Sequence, residues 1–427
     1  MKILFLVYSR QPSVKHLAET RRTGFSWVDT LLDEFDNHPE ISVGLALPVK
    51  EEIYSSLKEG NFVYYGLPEK EQSGRIPRFL NRIKYKVEES NILLSVQKAI
   101  EDFNPDIVHI FGTENPLGEA VIFANKPTVI HFQGSLNIVA RKWFAGVPKM
   151  EMLLFGSLLN IVSFRGPYHE FFFFRKKVFR EMRTIQNCKY FIGRTKFDRQ
   201  LLSLLAPNSK YFHCEEFIRP QFFLKEWEQK FGKQVNLISV LKGVTYKGLD
   251  ILFETSAILD NLTSTNFVFT VCGIEAEEEF VKILKKKYKN ETDTSKFIFL
   301  GKIDTDTLVI ELLKSDVFVH PSYIENSANS ICEAMALGMP VVATNVGGTS
   351  SILNDGVEGC LVQEGDPLSM AAAIRNMVDN SDHAKYLGHN ARIRALARHK
   401  PETIYSRLNE IYNEILRISD LSGSDIV

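Results

Sequence analysis

The chain lacks the cysteine pattern of a zinc site or a disulfide framework. Its five cysteines, Cys188, Cys214, Cys272, Cys332 and Cys360, are scattered, odd in number and contain no CxxC pair, which fits a reducing compartment. Long apolar runs are missing as well. No stretch reaches the roughly 18 uninterrupted apolar residues of a membrane span. The N-terminal run Ile3 to Tyr8 is short and has no cleavage-site pattern, so it reads as a first strand. A cytoplasmic location is the expectation. Net charge is nearly absent, at −1, which argues against a whole-chain nucleic-acid binder. That balance hides a polarity: residues 1–215 hold 29 Lys+Arg against 23 Asp+Glu, whereas residues 216–427 hold 22 against 29. No fixed-period repeat or low-complexity tract occurs.

What is present is a chain of 427 residues, long enough for two domains of about 200 residues with separate cores. Short β-rich runs alternate with helical stretches in both halves, the pattern of two α/β domains. MKILFLVY, ISVGLALPV, IVHIF, TVIHF and CKYFIG read as strands of the first; NLISVL, NFVFTVCG, KFIFLG, DVFVHP and PVVAT read as strands of the second. The boundary is expected near 222–234. This gives a domain 1–222, a domain 223–400 and a terminal amphipathic helix that opens at Pro401.

The most informative segment runs from His320 to Gly348. Strand, polar loop, helix and strand follow one another, the unit of a parallel sheet with a ligand at its C-terminal edge. Glu325 lies in the loop and Glu333 in the helix, which is expected over 330–337. The first N–H groups of that helix lack internal partners and attract anionic or hydroxyl-rich ligands. Carboxylates accept paired hydroxyls, as on a sugar. Spacing alone leaves open a plainer reading, in which one glutamate is a solvated loop residue and the other a surface residue.

The segment resembles the glutamate-x7-glutamate region of retaining, nucleotide-sugar-dependent glycosyltransferases of family 4, which share the two-domain GT-B fold. The matching residues are Glu325, Asn329, Glu333-Ala334, Gly338, Pro340 to Ala343 and Gly347-Gly348, followed by Asp355 to Gly359 and Gly365-Asp366-Pro367. The resemblance implies an α/β GT-B fold of two Rossmann-like domains facing an interdomain cleft. It implies transfer of a sugar from a nucleoside diphosphate donor to a glycan or lipid-linked hydroxyl acceptor, as in capsule and exopolysaccharide assembly. It gives Glu333 to the nucleotide ribose and Glu325 to the donor sugar, helped by the loop and helix start at Asn326, Ser327, Asn329 and Ser330. By the same resemblance the terminal helix crosses back to the first domain.

After the strand ending near Leu241, Lys242 and Lys247 flank a glycine turn, and two ammonium groups there suit a diphosphate. Lys247-Gly248 matches the family's phosphate-binding dipeptide; Lys242 stands where the family has arginine. Gly24 stands where family members carry a glycine pair near the donor phosphates. Gln133 takes the place of a histidine close to the reacting sugar. It is expected to hydrogen-bond hydroxyls, whereas His131 and His109 read as packed strand residues. Arg194, in Gly193 to Asp198, is expected to meet phosphates or acceptor. Asp304-Thr305-Asp306 spells a DxD pattern, but aspartate is a favoured helix N-cap. No metal and no cofactor beyond the donor are expected. Two basic-aromatic stretches, Arg75 to Lys86 and Phe164 to Arg180, have the composition of a segment resting on an anionic membrane or of a helix packing its aromatic face. Rival readings are a non-catalytic nucleotide-sugar sensor and another GT-B activity such as sugar-nucleotide epimerisation.

Overall fold

The structure, a computed structural model, describes residues 1–20, 27–69, 80, 84, 92–228 and 231–424. It has two compact units: Met1–Leu136 with Phe173–Phe217 and His399–Val427, and Asn137–Phe172 with Ile218–Arg398.

The first unit holds an eight-stranded sheet. Its strands are β1 (Lys2–Leu6), β2 (Ser42–Val49), β3 (Ser55–Glu59), β4 (Phe62–Pro68), β5 (Ile107–Phe111), β6 (Thr128–His131), β7 (Tyr190–Gly193) and β8 (Lys210–His213), in the order β3-β4-β2-β1-β5-β6-β7-β8. All neighbours run parallel except the edge pair β3 and β4. Central parallel strands are covered on both faces and so read as continuous apolar runs. Ile3 to Leu6 and Ile107 to Phe111 are buried at every position. The hairpin partner β3, with sequence SSLKE and four exposed residues, has no such run; its charges blunt a sheet edge. Helix Pro401–Ser424 packs Ile404, Leu408, Ile411 and Ile415 into this unit's core. Tyr412 Oη lies 2.7 Å from His109 Nδ1.

The second unit holds β9 (Gln234–Val240), β10 (Asn266–Cys272), β11 (Phe297–Gly301), β12 (Val317–His320), β13 (Val341–Thr344) and β14 (Cys360–Val362), all parallel, in the order β11-β10-β9-β12-β13-β14. This is the doubly wound order in which the winding reverses between the first and fourth strands. Ligands of such sheets bind beyond the strand C-termini at that reversal. Here it lies between β9 and β12.

The units differ from the expected 1–222 and 223–400 in one respect beyond a few residues at the junctions. Residues 137–172 belong to the second unit, because Val147 and Met152 are buried in its core with Leu249, Phe253 and Phe280.

Candidate active site

Two loops meet at the reversal point. The first follows β9 and carries Lys242 to Gly248; the second follows β12 and carries Pro321 to Ala328. Their backbones are joined where Tyr323 N donates to Tyr246 O at 2.9 Å. Gly248 has φ 75°, and a Cβ there would sit 2.0 Å from Pro321 O, so only glycine allows this approach.

Lys247 Nζ donates to Glu325 Oε1 in an ion pair. The same oxygen accepts from His320 Nε2 at 3.0 Å and Ser322 Oγ at 3.1 Å. Burial alone raises a carboxyl pKa, but Lys247 and His320 outweigh it here, and Glu325 is held well below the usual carboxylate range. Three donors thus converge on Oε1. Behind the pair, Tyr323 Oη donates to Asp250 Oδ2 at 2.6 Å, tying the Glu325 loop to helix Leu249–Leu262.

Burial pushes Asp250 up from 3.8 to about 6. Between those values the folded chain holds a proton that the unfolded chain has released, so stability falls as pH rises through this window and is level above it. Asp250→Asn keeps an acceptor for Tyr323 and removes the charge. It is expected to melt above wild type at pH 8, by about 3 kcal/mol in stability, with the gap closing toward pH 4. A gap independent of pH would contradict this.

Helix Asn329–Leu337 begins after Ala328, which offers no side-chain acceptor to its first turn. Asn326 is buried, while Ser327, Asn329 and Ser330 are half-buried around that end. Glu333 sits in this helix among Ile331, Cys332, Ala334 and Met335, all buried. Its carboxylate does not join the Lys247–Glu325 pair. Arg219 donates to Glu333 Oε1 from Nε at 2.9 Å and Nη2 at 2.7 Å, and from Nη1 to Thr305 Oγ1 at 2.9 Å. Burial raises the Glu333 pKa, with Arg219 acting against it. Removing the guanidinium strands a buried carboxylate, so Arg219→Ala is expected to lose about 3 to 5 kcal/mol in urea unfolding. Arg219→Ala with Glu333→Ala should lose less than the sum of the singles.

Arg219 was missed in the sequence; the one available signal was that a glutamate on an apolar helix face needs a cation. Thr305 opens helix Thr305–Lys314, whose N-cap is Asp304: Oδ1 accepts from Thr307 N at 2.8 Å. The DxD pattern is therefore a helix cap. Lys242 is exposed on its turn.

In the first unit Gln133 and Arg194 share one partner. Gln133 Nε2 donates to Glu216 Oε1 at 3.1 Å, and Arg194 Nη1 pairs with Glu216 Oε2. With its side chain 4% exposed, Arg194 has its charge matched inside the fold. His109 and His131 are fully buried, and burial drives His109 down to about 3 and His131 well below its usual range. Gly24 lies outside the described residues, as does the stretch Arg75 to Lys86 apart from Leu80 and Lys84. Phe164 to Arg180 falls largely in helix Pro167–Asn187, where Phe171 is buried and Phe172 to Phe174 are half-buried.

Residues 221–394 match the family model described as glycosyl transferases group 1. The capsular polysaccharide biosynthesis glycosyltransferase CapM of Staphylococcus aureus is 29% identical over 216 residues, which cover 48% of this chain and 54% of that protein. The chain spans about half the length of the curated relatives it matches. Among solved structures, sucrose-phosphate synthase from Thermosynechococcus elongatus superimposes with a TM-score of 0.67 at 14% identity, covering 98% of this chain and 99% of that one. Anabaena Alr3699/HepE, in complex with UDP and glucose, gives 0.65 at 16% identity, covering 97% and 99%. Two Rossmann-like α/β domains of the GT-B fold make up this chain, and residues 221–394 are similar to the glycosyl transferases group 1 family.

Proposed function

We propose that the protein moves a sugar, of hexose type, from a nucleoside diphosphate to a hydroxyl of a glycan or lipid-linked acceptor. Anomeric configuration is retained, and neither a metal nor a further cofactor takes part. The observation that carries this reading is the Lys247–Glu325 pair at the point where the second sheet reverses its winding. Lys247 offsets negative charge on the departing diphosphate, which grows toward the transition state, and Lys242 adds to it from the exposed turn. Glu325, ionised across the physiological range, accepts donor-sugar hydroxyls. The uncapped start of helix Asn329–Leu337 offers N–H groups to the phosphates. Glu333, held by Arg219, is the ribose-binding carboxylate. A role in surface polysaccharide synthesis on the cytoplasmic side is the reading favoured by the likeness to CapM.

The donor is identified by melting the protein with UDP-, GDP- and ADP-sugars, since a ligand that binds the native state raises its melting point. UDP-glucose is tried first because the Anabaena fold neighbour was solved with UDP and glucose. With the stabilising donor, nucleoside diphosphate should be released only when acceptor is added, and equally well in excess chelator. Donor binding without release across an acceptor panel would favour a sensor. Isomerised donor without any acceptor would favour an epimerase.

A further inference from the structure

Residues 149–162 form two short helices, Lys149–Phe155 and Leu158–Val162, of which the first buries Met152 in the second unit's core and packs Phe155 against it. A surface helix of a water-soluble unit turns its apolar stripe to the core and its polar side to solvent. Here Met150, Leu154, Leu158, Leu159 and Val162 are nonetheless each 72 to 79% exposed, and polar groups tie the hairpin down around the buried Met152. Ser157 N donates to Glu279 Oε1 at 3.1 Å, and Asn160 Nδ2 donates to Glu279 Oε2. Lys287 pairs with Glu151 at 2.8 Å, and Lys286 Nζ donates to Phe155 O at 3.3 Å. A Cβ on Gly166 would come within 2.6 Å of Glu279 Oε2, so the hairpin closes tightly over this anchor. Five large apolar side chains within thirteen residues thus stand in water, in a patch that marks an interaction surface.

We infer that this hairpin is the face by which the protein rests on an anionic phospholipid bilayer. Charge argues for that occupant. The half of the chain after residue 215 is acidic, yet Lys282 and Lys286 of the anchoring helix Glu279–Lys287 are exposed, as are Lys149 and Arg165 beside the apolar residues. Apolar side chains entering the headgroup boundary with lysines around them is the pattern of an in-plane membrane helix. Helices of 7 and 5 residues lie on a bilayer and do not cross it. The inference stands apart from the transferase reading, and its test uses neither donor nor acceptor.

Full-length protein is sedimented with vesicles of phosphatidylcholine alone or mixed with equal phosphatidylglycerol. Wild type should partition to the mixed vesicles and less to phosphatidylcholine, with binding that weakens as salt rises. Leu158→Ser with Leu159→Ser should lower partitioning about tenfold or more, and Met150→Ser with Leu154→Ser should act alike. Melting points should stay at the wild-type value, since these side chains touch no core. Absence of wild-type binding, or equal partitioning of variants and wild type, overturns the inference. So does ultracentrifugation in which the variants turn a dimer into a monomer while vesicle binding is unchanged, because the face would then belong to a second copy.

Discussion

Glu325→Gln is expected to lower sugar transfer about 100- to 1,000-fold while the protein stays folded. Glutamine keeps the shape and an acceptor for Ser322, so the loop persists. The charge that organises Lys247 and His320 on one oxygen is gone. The substitution also carries a stability signature with a definite sign. Glu325 has its folded pKa depressed below the ordinary 4.5, so its contribution is fully present above 4.5 and is lost as pH falls toward the folded value. Glu325→Gln should therefore melt below wild type at pH 7, and the difference should shrink as pH drops under 4.5. Near-wild-type turnover, or a difference that widens in acid, would contradict the assignment. Lys247→Ala should lose transfer to a similar degree.

Gly347→Ala is the second large effect, and Gly356→Ala is its internal control. Both glycines have left-handed backbones, with φ of 51° and 71°. An alanine at 356 would find nothing within 4 Å, so it costs only the conformational penalty of about 1 to 2 kcal/mol. At 347 the new Cβ would sit 1.8 Å from the backbone oxygen of Glu325, the same oxygen that accepts from Gly348 N at 3.2 Å. Backbone must move, and the residue that moves is Glu325. Gly347→Ala should lose about 3 kcal/mol or more in urea unfolding and about 100-fold in transfer, the scale of a 1 Å misplacement. Equal losses at the two positions would show that Gly347 does not hold the Glu325 loop.

The fold was legible where burial forces a pattern. Central strands such as Ile107–Phe111 and Val341–Thr344 are apolar throughout because both faces are covered. Edge strands escape that constraint, so Ser55–Glu59, Lys210–His213 and the three-residue Cys360–Val362 were not foreseen; the interior strand Phe62–Pro68, apolar and buried beside Ser42–Val49, was missed as well. Within the site, Lys247 and Glu325 were singled out by local motifs, and the fold brings them into contact across 78 residues of sequence. Partnerships were not legible. Nothing local to Arg219, Glu333 and Thr305, or to Arg194, Gln133 and Glu216, says that their side chains converge. The exposed apolar face of the hairpin was hidden for a related reason: MEMLLFGSLLNIV does not say which side of each helix faces water.

The most direct test is calorimetric titration of the nucleoside diphosphate that most stabilises wild type into wild type, Lys247→Ala and Glu333→Gln. Binding at one site, weakened at least about tenfold by each substitution, is the predicted result. Identical dissociation constants for all three proteins would mean that the diphosphate and its ribose rest elsewhere.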